Sequence, residues 1–220
     1  MKATSGGIVV RQAHAYTVVD NFEEAMARYT RAPYAVAVDS CSAALFLCMK
    51  YVAADKYPEI IVPAQTYVSV AAQAVHAGAR IRFEDISWQT KGYYQLSPLP
   101  VVDSAKRLTR GMYAEESNLN GNLVCLSFHG KKSLKIGRGG MILCRTKEEV
   151  EWFECARFDG RHKCSLMDDT FAMAGWNMYM TPEQAARGLE QLQWHGEGRI
   201  MEHETYPRLD KYKFFSEANR

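Results

Sequence analysis

From Tyr34 to Arg145 the chain alternates short apolar runs with longer amphipathic stretches, a pattern that a layered α/β fold satisfies and an all-helical or all-strand fold does not. YAVAV at 34–38, IIVPA at 60–64, ARIRFEDI at 79–86, the apolar run leading into Asp103, NLVCLSF at 122–128 and GMILCR at 140–145 read as strands. Between them, a helix is predicted to open at Asp39-Ser40 and run through AALFLCMKYVAA, and TYVSVAAQAVHAG reads as a second that closes on Gly78. Asn120-Gly121 carries a tight-turn signal just before the 122–128 strand. After Thr146 the period changes to that of helices. KEEVEWFECARF is one, and TPEQAARGLEQLQ is another, with Thr181 as N-cap, Pro182 at the first helical position and Gln184 three residues after the cap. Residues 160–176 read as a loop, and the tail after Gly196 as charged, aromatic and partly helical.

With 220 residues, 47% of them hydrophobic, the chain can fill one core and has no room for a sizeable second domain. Lys and Arg number 27 against 25 Asp and Glu, and the basic residues are scattered, so nucleic acid is not an expected partner. The six cysteines form no C-x-x-C pair and read as reduced thiols; no metal site is predicted. MKATSGGIVV lacks a long apolar core and no segment is a membrane span, so an untargeted cytoplasmic protein is the expectation.

The most informative stretch is Ser127-Phe128-His129-Gly130-Lys131-Lys132-Ser133-Leu134-Lys135-Ile136-Gly137-Arg138-Gly139-Gly140, directly after a strand. A lysine there can project into the crevice at the carboxyl edge of the sheet, where open α/β sheets bind ligands. Equally, a Lys-Lys pair suits a solvated turn, and G-x-G-G a tight turn or an anion nest. Asp103, ending an apolar strand, is either a helix cap or a carboxylate kept for an electrostatic task. Asp39-Ser40-Cys41-Ser42 makes a strand-to-helix junction whose backbone N–H groups suit a phosphate, though folding alone also produces such junctions.

These residues resemble the DegT/DnrJ/EryC1/StrS family of sugar aminotransferases, which use pyridoxal 5'-phosphate (PLP). Residues 127–140 match the family pattern S-F-H-x-x-K-x-L-x-x-G-x-G-G at every specified position. NFEEAMARYTRAPYAVAV resembles the family's entry helix and first strand, and P-A-Q-T-Y at 63–67 and G-x-N-x-x-M-T-x-x-Q-A-A from Gly175 to Ala186 follow in family order, so the likeness spans roughly residues 20–193. It implies a three-layer α/β/α fold with a mostly parallel mixed sheet, the PLP-dependent transferase fold type I. Residues 1–193 would form the PLP-binding large domain and 194–220 a short helical extension, in a short form lacking most of the family's carboxyl-terminal domain.

The resemblance also implies roles. Lys132 would bond the cofactor and later move protons, and Asp103 would pair with the pyridine nitrogen. Tyr67 would stack on the ring; Cys41, Ser42 and Ser127 would hold the phosphate; and Asn177 would reach it from the partner subunit, implying a homodimer with shared sites. Lys106 stands near the cofactor oxygen where the family has Gln or His, and is expected either to stabilise a phenolate or to swing out to solvent. Cys41 replaces a glycine, Tyr179 an arginine and Ser104 an alanine. His129 is expected to orient the lysine loop. The implied function is transfer of an amino group from an amino acid, glutamate or glutamine, to a keto group of a sugar nucleotide or similar acceptor. A PLP enzyme of different outcome and a non-catalytic PLP- or phosphate-binding protein are the alternatives; Lys132 speaks against the family's dehydratase branch, where histidine replaces the lysine.

Overall fold

The computed structural model describes residues 16–201 and 205–217. The amino-terminal stretch expected to carry no targeting signal, and residues 202–204 and 218–220 of the tail, lie outside the described residues. Its helices are α1 (Thr17–Thr30), α2 (Cys41–Tyr51), α3 (Val68–His76), α4 (Met112–Glu115), α5 (Lys147–Ala156), α6 (Pro182–Gln193) and α7 (Lys213–Glu217). Its strands are β1 (Tyr34–Val38), β2 (Ile60–Pro63), β3 (Ile81–Glu84), β4 (Tyr94–Gln95), β5 (Val101–Asp103), β6 (Arg107–Thr109), β7 (Leu123–Ser127), β8 (Gly140–Cys144) and β9 (Gly198–Ile200).

The sheet order β1-β8-β7-β5-β4 carries the fold, with β2-β3 and β6-β9 as smaller ladders and one backbone bond, Ile61 N to Ser97 O at 2.7 Å, linking β2 to the segment after β4. Side chains alternate between the two faces of the central strands, and both faces are apolar. Val36, Val38, Ile142, Cys144 and Cys125 pack toward α2, α3 and α5, while Ala35, Ala37, Met141, Leu143 and Val124 pack toward α1, α4 and α6. That is the expected three-layer α/β/α arrangement. The caps at α5 and α6 are full capping boxes, Thr146 with Glu149 and Thr181 with Gln184, as the sequence pattern of the second predicts.

One expectation is corrected. The sheet is mixed, but it is not mostly parallel: β1/β8, β7/β8, β4/β5 and β6/β9 are antiparallel, and only β2/β3 and β5/β7 are parallel. A parallel neighbour needs a crossover of about a dozen residues or more, generally helical. The five residues between β4 and β5 are too few, and residues 128–139 between β7 and β8 form a loop instead of a helix. The tail is helical in part, through α7. It adds β9 to β6 through Arg107↔Ile200 and Thr109↔Gly198, then sends Leu209 and Phe215 into the core beside α2 and α3. Among the described residues, no helix is long and apolar enough to cross a membrane, and the six cysteines are free.

Candidate functional site at the carboxyl edge of the sheet

β1, β5 and β7 run in one direction and β8 in the other, so the ends of three strands meet the start of the fourth along one edge, in the registers Val38↔Gly140, Ser127↔Gly140 and Asp103↔Cys125. Gly140 is required there by close approach: a Cβ at this position would stand 2.3 Å from the Ser40 carbonyl carbon and 2.5 Å from Cys41 N. The glycine lets the first turn of α2 press against the sheet. Ser40 caps that helix, its Oγ accepting from Ala43 N at 3.1 Å, and Ser42 Oγ donates to Ser69 Oγ of α3 at 2.8 Å.

Asp103 is 5% exposed. It is not a helix cap, because β6 follows it; Oδ1 instead accepts from Ala105 N at 2.8 Å in a local turn. Oδ2 accepts from the Tyr94 hydroxyl at 2.7 Å. Tyr94 has one proton and gives it to the carboxylate, so the Thr66 hydroxyl, 2.5 Å away, donates to Tyr94. The chain Thr66 to Tyr94 to Asp103 fixes the carboxylate with neutral donors. Burial pushes the Asp103 carboxyl above its usual range, and Tyr94, Ala105 and the positive charge of Lys132 act against that rise.

Lys132 and Lys131 part company in the fold, with Lys131 exposed and Lys132 half-buried. Lys132 N donates to His129 O at 2.8 Å, and Lys131 N donates to His129 Nδ1 at 3.3 Å, so His129 does shape this loop. Gly137 bends it back with φ of 110°, a conformation that favours glycine. Arg138 Nη2 pairs with Asp39 Oδ2 at 2.5 Å, tying the far end of the loop to the end of β1. Cys41, on the first turn of α2, feels both Asp103 and Lys132; burial, followed by the Asp103 charge, pushes its thiol well above the usual range, so it is a neutral group in the floor of the site.

The remaining residues singled out in the sequence occupy varied places. Ser127 ends β7 partly buried, beside the lysine loop. Lys106 does not swing out: it is 3% exposed, with Nζ 5.9 Å from the centre of the Trp88 ring and 5.7 Å from that of Tyr206. Tyr206 belongs to the tail, stacks on Trp88 and stands 6.4 Å from the ring of Tyr67. Tyr67 is 59% exposed. Asn177 is exposed, its Nδ2 donating to Asp159 Oδ2 at 3.1 Å, and Tyr179 bridges to Val38. The sequence reading missed Tyr94, which lies on a two-residue strand too short for any period, and passed over Thr66 within P-A-Q-T-Y.

An open pocket lies elsewhere, lined by Tyr16, Asp20, Arg157, Phe158, Arg161 and Tyr179 among others. Its charged residues have partners: Lys163 bonds Asp20 and Glu154, Arg157 holds Glu23, and Arg161 pairs with Asp169. The acidic cluster Asp20, Glu23 and Glu154 is therefore already engaged by two cations, Lys163 and Arg157.

The model of the DegT/DnrJ/EryC1/StrS aminotransferase family matches residues 10–112 and 99–207. The spore coat polysaccharide biosynthesis protein SpsC of Bacillus subtilis is 25% identical over an alignment covering 79% of this chain and 56% of that protein. GDP-perosamine synthase of Caulobacter vibrioides is 26% identical, covering 83% of this chain and 57% of the enzyme. Among solved structures, a sugar aminotransferase from Micromonospora echinospora superposes with a TM-score of 0.65 at 19% identity, covering 81% of this chain and 60% of that one. The PLP form of a Streptococcus pneumoniae protein assigned as a sugar aminotransferase gives 0.64 at 18%, covering 81% and 59%. These superpositions establish the fold. The chain spans little more than half the length of the curated relatives it matches.

Proposed function

The chain belongs to the DegT/DnrJ/EryC1/StrS aminotransferase family, and from that premise we propose that it binds pyridoxal 5'-phosphate and moves an amino group from glutamate or glutamine to a keto group of a nucleotide sugar. Asp103 carries this reading: a buried carboxylate oriented by neutral donors, acted on by a lysine ammonium from the loop after the neighbouring parallel strand. A carboxylate so placed suits a ring N–H, which needs an acceptor held in one orientation and a negative charge not already consumed by a guanidinium.

The other residues fit the same group. The first-turn amides of α2, with the Ser42 hydroxyl and Ser127 nearby in the fold, suit a phosphate. Tyr67 offers an exposed ring face, and Cys41 an uncharged floor. When bound, PLP supplies a conjugated ring that accepts the electron pair released at the amino-bearing carbon. Asp103 would hold the proton on the ring nitrogen. Lys132 Nζ would bind the aldehyde carbon and afterwards carry the proton to and from the substrate carbon. Lys106, locked between Trp88 and Tyr206, would act on the site through its charge from a fixed position.

The nucleotide sugar comes from the relatives: GDP-perosamine synthase is one, and a Campylobacter jejuni transaminase of a UDP-linked altrosamine, 23% identical, is another. We further propose a cytoplasmic homodimer in which Asn177, exposed on each protomer, reaches the site of the partner.

Spectra test the core of this reading. The protein incubated with PLP gains a near-ultraviolet to visible band that Lys132→Ala abolishes; glutamate then discharges the band and releases 2-oxoglutarate. Asp103→Asn slows that discharge by about a hundredfold or more. A wild-type chain without the band sinks the reading. Mixing Lys132→Ala with Asn177→Ala chains tests the shared site, since only a mixed dimer regains one complete centre.

A further inference from the structure

Lys132 lies in a twelve-residue connection with no helix or strand of its own, residues 128–139, yet the reading above asks its amine to meet a cofactor atom within a fraction of an ångström. The neck of the loop is closed by Phe128 N to Gly139 O at 2.9 Å, Ile136 N to Phe128 O at 3.1 Å and Gly130 N to Gly137 O at 3.1 Å. Its flank is held by α6. Gln184 Nε2 donates to Arg138 O at 3.2 Å, while its Oε1 accepts from Thr181 N at 2.9 Å in the cap of the same helix. Gln191 clamps one residue from both sides, donating from Nε2 to Lys135 O at 2.8 Å and accepting at Oε1 from Lys135 N at 2.9 Å. His195, two residues past the end of α6, places Nε2 3.1 Å from Ser133 Oγ.

Positions 184, 188 and 191 are spaced four and three apart, which puts them on one helical face, and His195 follows two residues past the end of the helix. The member without a side chain is needed: a Cβ at Gly188 would stand 2.9 Å from Ile136 Cδ1 and 2.6 Å from Phe22 Cζ, so glycine lets the helix lie against the loop. Burial lowers the His195 pKa and so favours the neutral ring, whose Nε2 can accept the Ser133 hydroxyl proton. Each contact falls on the carboxyl side of Lys132, and Ser133 is its immediate neighbour.

We propose that this face of α6, together with His195 just past its carboxyl end, presents Lys132 to the cofactor, with Gln191 and His195 as positioning residues acting through Lys135 and Ser133. The inference rests on the reading of Lys132 as the cofactor-bonding lysine. Hydrogen bonds to both the N–H and C=O of Lys135 remove the freedom of the loop where a single bond would leave a pivot. Misplacement of a reacting group by about 1 Å lowers rates by up to about a hundredfold.

The test separates capture from binding. Gln191→Ala, and as a milder second variant Ser133→Ala, are mixed with PLP; the adduct is trapped with borohydride and mapped to Lys132 by mass spectrometry over time. Affinity for pyridoxamine 5'-phosphate, which makes no bond to the lysine, is measured in parallel. The expected result is capture slowed about tenfold in Gln191→Ala and less in Ser133→Ala, with pyridoxamine phosphate affinity unchanged and faster amide exchange at residues 133–136. Gln191→Glu, which keeps the acceptor and loses the donor, falls between. Capture at the wild-type rate in both variants, or equal losses for the two cofactor forms, overturns the proposal. Absence of capture by the wild-type chain overturns the assignment of Lys132 and the proposal with it.

Discussion

Two buried carboxylates in this molecule are handled in opposite ways. Glu23 of α1 meets the Arg157 guanidinium, which also donates to the Ala37 carbonyl, and Glu23 Oε1 accepts from Ala37 N at 2.8 Å. Helix α1, the end of α5 and the middle of β1 are thereby stitched together, and charge is balanced within the fold. Asp103 receives two neutral donors and the field of a lysine on a loop. The first arrangement spends its electrostatics on holding elements together; the second fixes geometry and leaves negative charge available to a ligand. Burial alone does not separate staple from site, whereas the identity of the donors does.

The largest effect is expected on the staple. Arg157→Ala leaves Glu23 in the core without a cation and destabilises the protein by about 3–5 kcal/mol, read from urea unfolding. A loss under about 1 kcal/mol would erase the contrast between the two carboxylates.

Tyr94→Phe comes next. It strips one donor from Asp103 and leaves the Thr66 hydroxyl without its acceptor, lowering stability by about 1–3 kcal/mol. Binding of PLP weakens too, since the carboxylate is then more readily protonated. Unaltered binding would mean that orientation by Tyr94 is dispensable.

The smallest effect sharpens the sign. The folded pKa of Asp103 is raised, so the folded state binds its proton more tightly than the unfolded one. Its contribution to stability is full below the unfolded value near 3.8 and is lost as pH rises through the folded value. Asp103→Asn lacks that loss. Without cofactor, its stability relative to wild type should therefore climb with pH above about 4 and then level off. A difference independent of pH would show that Asp103 is not held out of water as described.

Much of the fold is legible in the sequence. YAVAV coincides with β1, the Ser40 junction opens α2, and Thr181, Pro182 and Gln184 start α6 as their spacing requires. The Asp103 and Lys132 positions are legible because both follow apolar runs whose ends must lie at the sheet edge. Strand direction was not, since apolar runs look alike whichever way they run. Nor was the tail, where Tyr206 and Leu209 carry no period but find Trp88 and the core once β9 has paired with β6.

Sequence by itself determined the local elements of this protein and the order in which its strand-end residues arrive, because side-chain period and capping chemistry act over a few neighbours. Tertiary structure alone decided who meets whom: Tyr94 with Asp103 and Thr66, Gln191 with Lys135, His195 with Ser133. Those partners stand 9, 28, 56 and 62 residues apart in the chain, and a hydrogen bond records distance in space. Only the folded chain brings such groups within 3 Å or so of one another, and for Tyr94, Asp103 and Thr66 burial also keeps water from taking a partner's place.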